Sequence, residues 1–141
     1  MTLITPSKLS LFSRSPVIGT WWEELETRGL FGDSKPEPSA LDQQLFTDGL
    51  RHEQVLLGKL EAQGHRIARL PGKQNEADYT ATKEAMADGF DFIHQASLCN
   101  DELRGSADLL RRIELPSALG PWIYIPIECK LASKPKTTFL V

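Results

Sequence analysis

The stretch Leu103–Leu131, LRGSADLLRRIELPSALGPWIYIPIECKL, decides how the chain is read. An apolar run over roughly Leu103 to Ile113 meets a turn containing Pro116, Ser117 and Gly120, and a second apolar run follows over roughly Pro121 to Leu131. That is the pattern of a β-hairpin. Strand side chains alternate between faces, so Ile123, Ile125, Ile127, Cys129 and Leu131 form one row, and Trp122, Tyr124, Pro126, Glu128 and Lys130 the other. The first row is the predicted core face. Folding the hairpin about residues 117 to 118 sets Asp108 across the ladder from Ile127 or Glu128, where opposed Cβ atoms are about 4.5–5.5 Å apart. Asp108, Glu128 and Lys130 then converge. Two carboxylates at that spacing suit a hard divalent cation, which takes oxygen ligands and keeps part of its water. A lysine beside them can orient such a water and offset charge developing on a phosphate.

Upstream of the hairpin, residues 90–98, FDFIHQASL, read as a strand. Phe90, Phe92, His94, Ala96 and Leu98 fall on one face, and Asp91, Ile93, Gln95 and Ser97 on the other. Asn100 and Asp101 supply the turn into the hairpin. Asn75 to Asp88 carries apolar and small residues at helical spacing and stops at Gly89, while residues 65–71 read as a first strand ending at Pro71-Gly72. Ser39, with Asp42 three residues on, resembles a capping box. It opens a long helix marked by Leu41, Leu45, Phe46, Leu50, Val55, Leu56, Leu57 and Leu60, which runs to Gly64. Residues 27–38 hold two glycines and two prolines and read as a loop. Residues 3–26 read as two short helices broken at Pro16, with Thr5 or Ser7 as the N-cap. Trp21 and Trp22 are assigned to core packing, base stacking being the alternative. The expected architecture is α/β, in one domain over 1–141 with an N-terminal helical segment 1–38 and a core 39–141.

A hydrophobic content of 40% and a charged content of 25% are ordinary for a folded domain and exclude a disordered chain. The net charge of −3 is unevenly spread. Residues 1–103 carry 10 Lys/Arg against 16 Asp/Glu, and residues 104–141 carry 6 against 3. Arg104, Arg111, Arg112, Lys130, Lys134 and Lys136 thus gather positive charge around the hairpin, where a phosphate-bearing partner would be drawn. Cys99 and Cys129 fit no disulfide framework. A zinc site from His52, His65, Cys99 and Cys129 has none of the usual spacings. Nowhere do 18 apolar residues run together, so the expectation is a cytoplasmic protein with no membrane contact.

GSADLL followed by IECK, with Asp108, Glu128 and Lys130, resembles the D…(D/E)-x-K motif of the PD-(D/E)xK nuclease superfamily in its RecB-like branch. The wider run T..AM..G.D.I.QA.L…D..RG.AD.L.R, followed by W.Y.P.E.KLA, is similar to a bacterial group of RecB-like nucleases and covers most of residues 40–139. The resemblance implies a restriction-endonuclease-like core, a small mixed sheet flanked by helices. It implies hydrolysis of phosphodiester bonds in DNA with Mg²⁺ or Mn²⁺. Asp108 and Glu128 would hold the ion with the Cys129 carbonyl, and Lys130 would position the attacking water. DGLRHEQVLL stands where that branch places its first metal-site residue, which implies His52 as ligand, or as a group behind the ligands, with Glu53 the adjacent candidate. The spacing here is Gly-x-x-His, whereas many relatives have Gly-x-x-x-His. Relatives also continue into a helix bearing Gln-x-x-x-Tyr, which this sequence lacks. Three expectations follow from that difference. One is a fold truncated at its C-terminus; another is a second copy or another protein covering the open sheet face; the third is a catalytically inactive module that binds nucleic acid or a partner protein.

Overall fold

Each helix among the described residues starts on a polar side chain that accepts a hydrogen bond from the backbone three residues on, satisfying one of the N–H groups a helix leaves unpaired. Thr5 does this for α1 (Pro6–Arg14), Ser15 for α2 (Pro16–Thr27), Ser39 for α3 (Ala40–Ala62) and Asn75 for α4 (Glu76–Ala87). The computed structural model describes residues 4–30 and 37–129. Lys130, Leu131, Lys134 and Lys136 therefore lie outside the described residues. At Ser39 the capping box is complete: Ser39 N donates to Asp42 Oδ2 at 3.0 Å and Asp42 N donates to Ser39 Oγ at 3.2 Å. The Ser39 hydroxyl and N–H hold the Asp42 carboxyl below the usual carboxylate range.

Four strands, β1 (Ile67–Arg69), β2 (Phe92–Cys99), β3 (Arg104–Ile113) and β4 (Ile123–Ile127), form one sheet in the order β1-β2-β3-β4. β1 and β2 are parallel and joined through α4, while β2, β3 and β4 are antiparallel neighbours. The molecule is thus α/β with a small mixed sheet. Leu109 pairs with Ile127 and Arg111 with Ile125, so the hairpin folds about residue 118, within the predicted register.

The sheet is apolar on both faces. Leu57 of α3 packs with Phe92 and Leu109, flanked by Leu56, Leu60, Ile67, Ile127 and Cys129. On the opposite face Ala85 of α4 packs with Ala68, Ile93, Ala96 and Leu110. Thr82 ties α4 to β2: its Oγ1 donates to Asp78 O at 2.9 Å and accepts from Ser97 N at 3.1 Å. Only the second half of α3 reaches the sheet; Leu41, Leu45, Phe46 and Leu50 in its first half are exposed.

Several expectations need correction. β4 ends at Ile127, not Leu131, because the Cys129 N–H donates to the Asp108 carboxylate rather than continuing a ladder. Its alternation is not core against solvent: Ile125 is 39% exposed, while Tyr124 packs on the α4 face and its hydroxyl donates to Phe90 O at 2.7 Å. Trp21 is 73% exposed and Trp22 also lies at the surface. α2 packs on α1 instead, where the Phe12 ring closes on Gly19 and Lys8 pairs with Glu26 at 2.7 Å. Among the described residues no helix is long and apolar enough to cross a membrane.

Leu57 is 1% exposed between α3 and the sheet. Leu57→Ala is expected to lower the unfolding free energy by about 2–5 kcal/mol, the range for truncating a buried leucine. Leu45→Ala, on the exposed half of the same helix, should change it by less than about 0.5 kcal/mol. Urea unfolding of the two variants checks this, and equal losses would contradict the packing described.

Candidate active site

A strand that keeps its register normally keeps its faces, yet β2 and β3 exchange theirs at one level. The pairing sum is constant from Phe92↔Arg111 to Cys99↔Arg104, and Gln95 and Asp108 are the facing positions that form no ladder pair. Ile93 and Ala96, three residues apart, nevertheless pack on the same α4 face, as do Leu110 and Ala107 on β3. Strict alternation would send the members of each pair to opposite sides. The switch is made at Gln95, whose φ of 54° lies in the left-handed region. An L-residue with a Cβ adopts that conformation at a cost of roughly 1–2 kcal/mol, so neighbouring contacts must hold it there. Ala96, expected beside His94, is thereby turned to the other face.

Glu53 of α3 supplies one such contact. His94 Nε2 lies 3.0 Å from Glu53 Oε2, and Gln95 Nε2 donates to the same oxygen at 3.3 Å. An ionised carboxylate only accepts, so Nε2 is the nitrogen that carries hydrogen in this contact. The side chains of His94 and Glu53 are 11% and 15% exposed. A carboxylate so far removed from water requires donors, and two successive β2 residues provide them from across the α3–sheet interface.

Asp108, opposite Gln95, is half-buried, and its Oδ2 accepts from Cys129 N at 3.0 Å. That bond fixes the chain just beyond β4 and draws Cys129 onto the α3 face of the sheet. Burial pushes the Cys129 thiol up, and the charges of Asp108, Glu53 and Glu128 push it further. Of these groups Asp108 touches Cys129 through its backbone N–H, while Glu53 and Glu128 reach the thiol through their charge alone. Glu128 itself is exposed. Among the described residues no three His, Cys, Asp or Glu side chains are grouped as a metal-holding cluster.

The sequence-derived residues are therefore placed unequally. Asp108 is bonded to Cys129 N, Glu53 is held by His94 and Gln95, and Glu128 stands exposed just past β4. His52 does not join them: it is exposed and lines a shallow surface with Asp48, Arg51 and Val55. His65 sets its ring edge-on against Phe92, centroids 5.2 Å apart, and lies 3.9 Å from Asp91 Oδ2. Lys130 is outside the described residues. The alternation read from the sequence put His94 and Gln95 on opposite faces of the strand; their joint hold on Glu53 is seen only once α3 is laid on the sheet. Comparison of the chain with family models, curated proteins and solved structures finds no match.

The left-handed backbone at Gln95 gives a direct test. Gln95→Ala and Gln95→Gly lose the same bond to Glu53, but glycine tolerates positive φ without penalty. Gln95→Gly is expected to be more stable than Gln95→Ala by about 1 kcal/mol, measured by chemical denaturation. In an ordinary strand the order is reversed, and that result would contradict the geometry.

Proposed function

We propose that this chain is a nuclease of restriction-endonuclease-like fold that hydrolyses phosphodiester bonds in DNA with Mg²⁺ or Mn²⁺. The observation that carries the proposal is the placing of Glu53 and Asp108 at the break in the β2–β3 ladder, Glu53 bonded to Gln95 and Asp108 to Cys129 N, the residue after Glu128. The motif around Asp108, Glu128 and Lys130 supports it independently.

The donor set has the right chemistry for a hard cation, which prefers carboxylate and carbonyl oxygens. Glu53 Oε2 is taken by His94 and Gln95, and Asp108 Oδ2 by Cys129 N, which among the described residues leaves Oε1 and Oδ1 to be offered. Glu53, Asp108, Glu128 and the Cys129 carbonyl would hold the ion. Mg²⁺ or Mn²⁺ in such a site supplies Lewis acidity to a phosphoryl oxygen and makes water a better nucleophile near neutral pH.

The chain's own groups do the positioning. His94 and Gln95 lock the Glu53 carboxylate in one orientation, as groups behind a ligand do in metal sites generally. Cys129 N does the same for Asp108. Lys130, next along the chain, orients the attacking water and offsets charge on the scissile phosphate. His52, exposed beside Asp48 and Arg51, is given no role in this reading.

One observation favours a second reading, a nuclease-like module that binds nucleic acid or a protein without cutting. The carboxylates form no ligand cluster among the described residues.

Incubation of labelled single- and double-stranded DNA with Mg²⁺ or Mn²⁺ separates the two. Cleavage by the wild-type chain should fall by about 10²–10³-fold in Asp108→Asn, the scale on which removing one charge-stabilising group acts. A folded wild-type chain that leaves both substrates intact would overturn the nuclease reading.

A further inference from the structure

The segment between β1 and α4, Pro71-Gly72-Lys73-Gln74-Asn75, crosses the sheet at the level where β2 and β3 exchange faces, and it is anchored on both sides of that break. Gly72, at φ 66°, lies so close to Gln95 that an added Cβ would stand 2.9 Å from Gln95 Oε1 and 3.1 Å from its Cβ. Two residues on, Gln74 Nε2 donates to Ser106 Oγ at 3.4 Å, reaching β3 just before Asp108. α4 clamps the same segment from behind. Tyr79 donates its hydroxyl to Gln74 O at 2.8 Å, and the Lys73 N–H donates to the Asp78 carboxylate. Gln74 itself is held at φ 54°.

A segment fixed at Gly72, Lys73 N and Gln74 O has its backbone path determined, and one residue stands between the anchors. That residue is Lys73. It is exposed and makes no ion pair among the described residues. Its chain neighbour Gly72 touches Gln95, which in turn bonds Glu53. A cation is therefore mounted two contacts away from a carboxylate of the proposed catalytic centre. Beyond it, a polar cleft of about 320 Å³ is lined by Thr5, Pro6, Ser7, Gln74, Gly105 and Ser106. The cleft offers hydroxyl and amide groups and no carboxylate, a lining compatible with an anionic strand.

We propose that Lys73 contacts a backbone phosphate of the DNA strand as it passes from the carboxylates toward the Gln74–Ser106 cleft. The inference rests on the nuclease reading above and names a substrate contact for it. A phosphate contact of this kind positions the strand without reading its sequence. It releases condensed counterions, so its signature is a change in the salt dependence of binding.

The test is fluorescence anisotropy with a short labelled oligonucleotide, without Mg²⁺ or Mn²⁺ so that cleavage cannot intervene, across a range of salt. The proteins are the wild-type chain, Lys73→Ala and Lys73→Arg. Lys73→Ala keeps the backbone N–H that Asp78 holds, and an unchanged melting temperature checks that the segment is intact. The expected result is binding weakened several-fold in Lys73→Ala, with the slope of log affinity against log salt reduced by about 1, and both restored in Lys73→Arg. Wild-type binding with an unchanged slope in Lys73→Ala would overturn this inference and leave the nuclease reading standing. No binding by the wild-type chain at any salt would overturn the inference together with the DNA reading on which it rests.

Discussion

A carboxylate taken largely out of water must be met by donors, and that requirement at Glu53 governs how α3 sits on the sheet. Leu56, Leu57 and Leu60 bring the helix down onto Phe92 and Leu109, but apolar contact is not directional. The bonds from His94 and Gln95 to a single oxygen of Glu53 are directional, and they fix which turn of α3 meets which residues of β2. Charge-assisted bonds of this kind are stronger than neutral ones. Losing the donors would leave a half-buried charge uncompensated, so the interface tolerates little sliding.

The same bonds explain the break in the sheet. For His94 and its neighbour both to face α3, one of them must leave the alternation of the strand, and Gln95 does so by adopting positive φ. Gly72 makes the distortion possible from the other side, since a side chain there would collide with Gln95. The ladder pair between Gln95 and Asp108 is lost, and the Asp108 carboxylate turns to the backbone beyond β4. Local strain, the loss of a ladder pair and the bonds made by Glu53 and Asp108 are thus one linked arrangement.

Much of this frame was legible in the chain. Caps at Thr5 and Ser39, the break at Pro16 and the hairpin register follow from local rules: polar N-caps, proline's missing N–H and a turn of defined position. What was not legible depends on contacts distant in sequence. Glutamine has no special preference for the left-handed region, so nothing around Gln95 announces its conformation. Adjacent helical residues project about 100° apart, so His52 and Glu53 need not face the same way. The spacing to Gly49 did not decide between them; packing of Leu57 on Phe92 did, turning Glu53 inward and His52 out. Likewise Trp21 has the composition of a core residue but sits on a helix whose inner side is already filled by Phe12 against Gly19.

The central claim is that Glu53, Asp108 and Glu128 form one cation site at the broken ladder. Calorimetric titration of Mn²⁺ into the wild-type chain and into Asp108→Asn tests it most directly, because it reads the ion and not its consequences. The account predicts one ion per wild-type chain, with that binding lost in the variant while its melting temperature shows it remains folded. Absence of binding to the wild-type chain, or equal binding to both proteins, would contradict it.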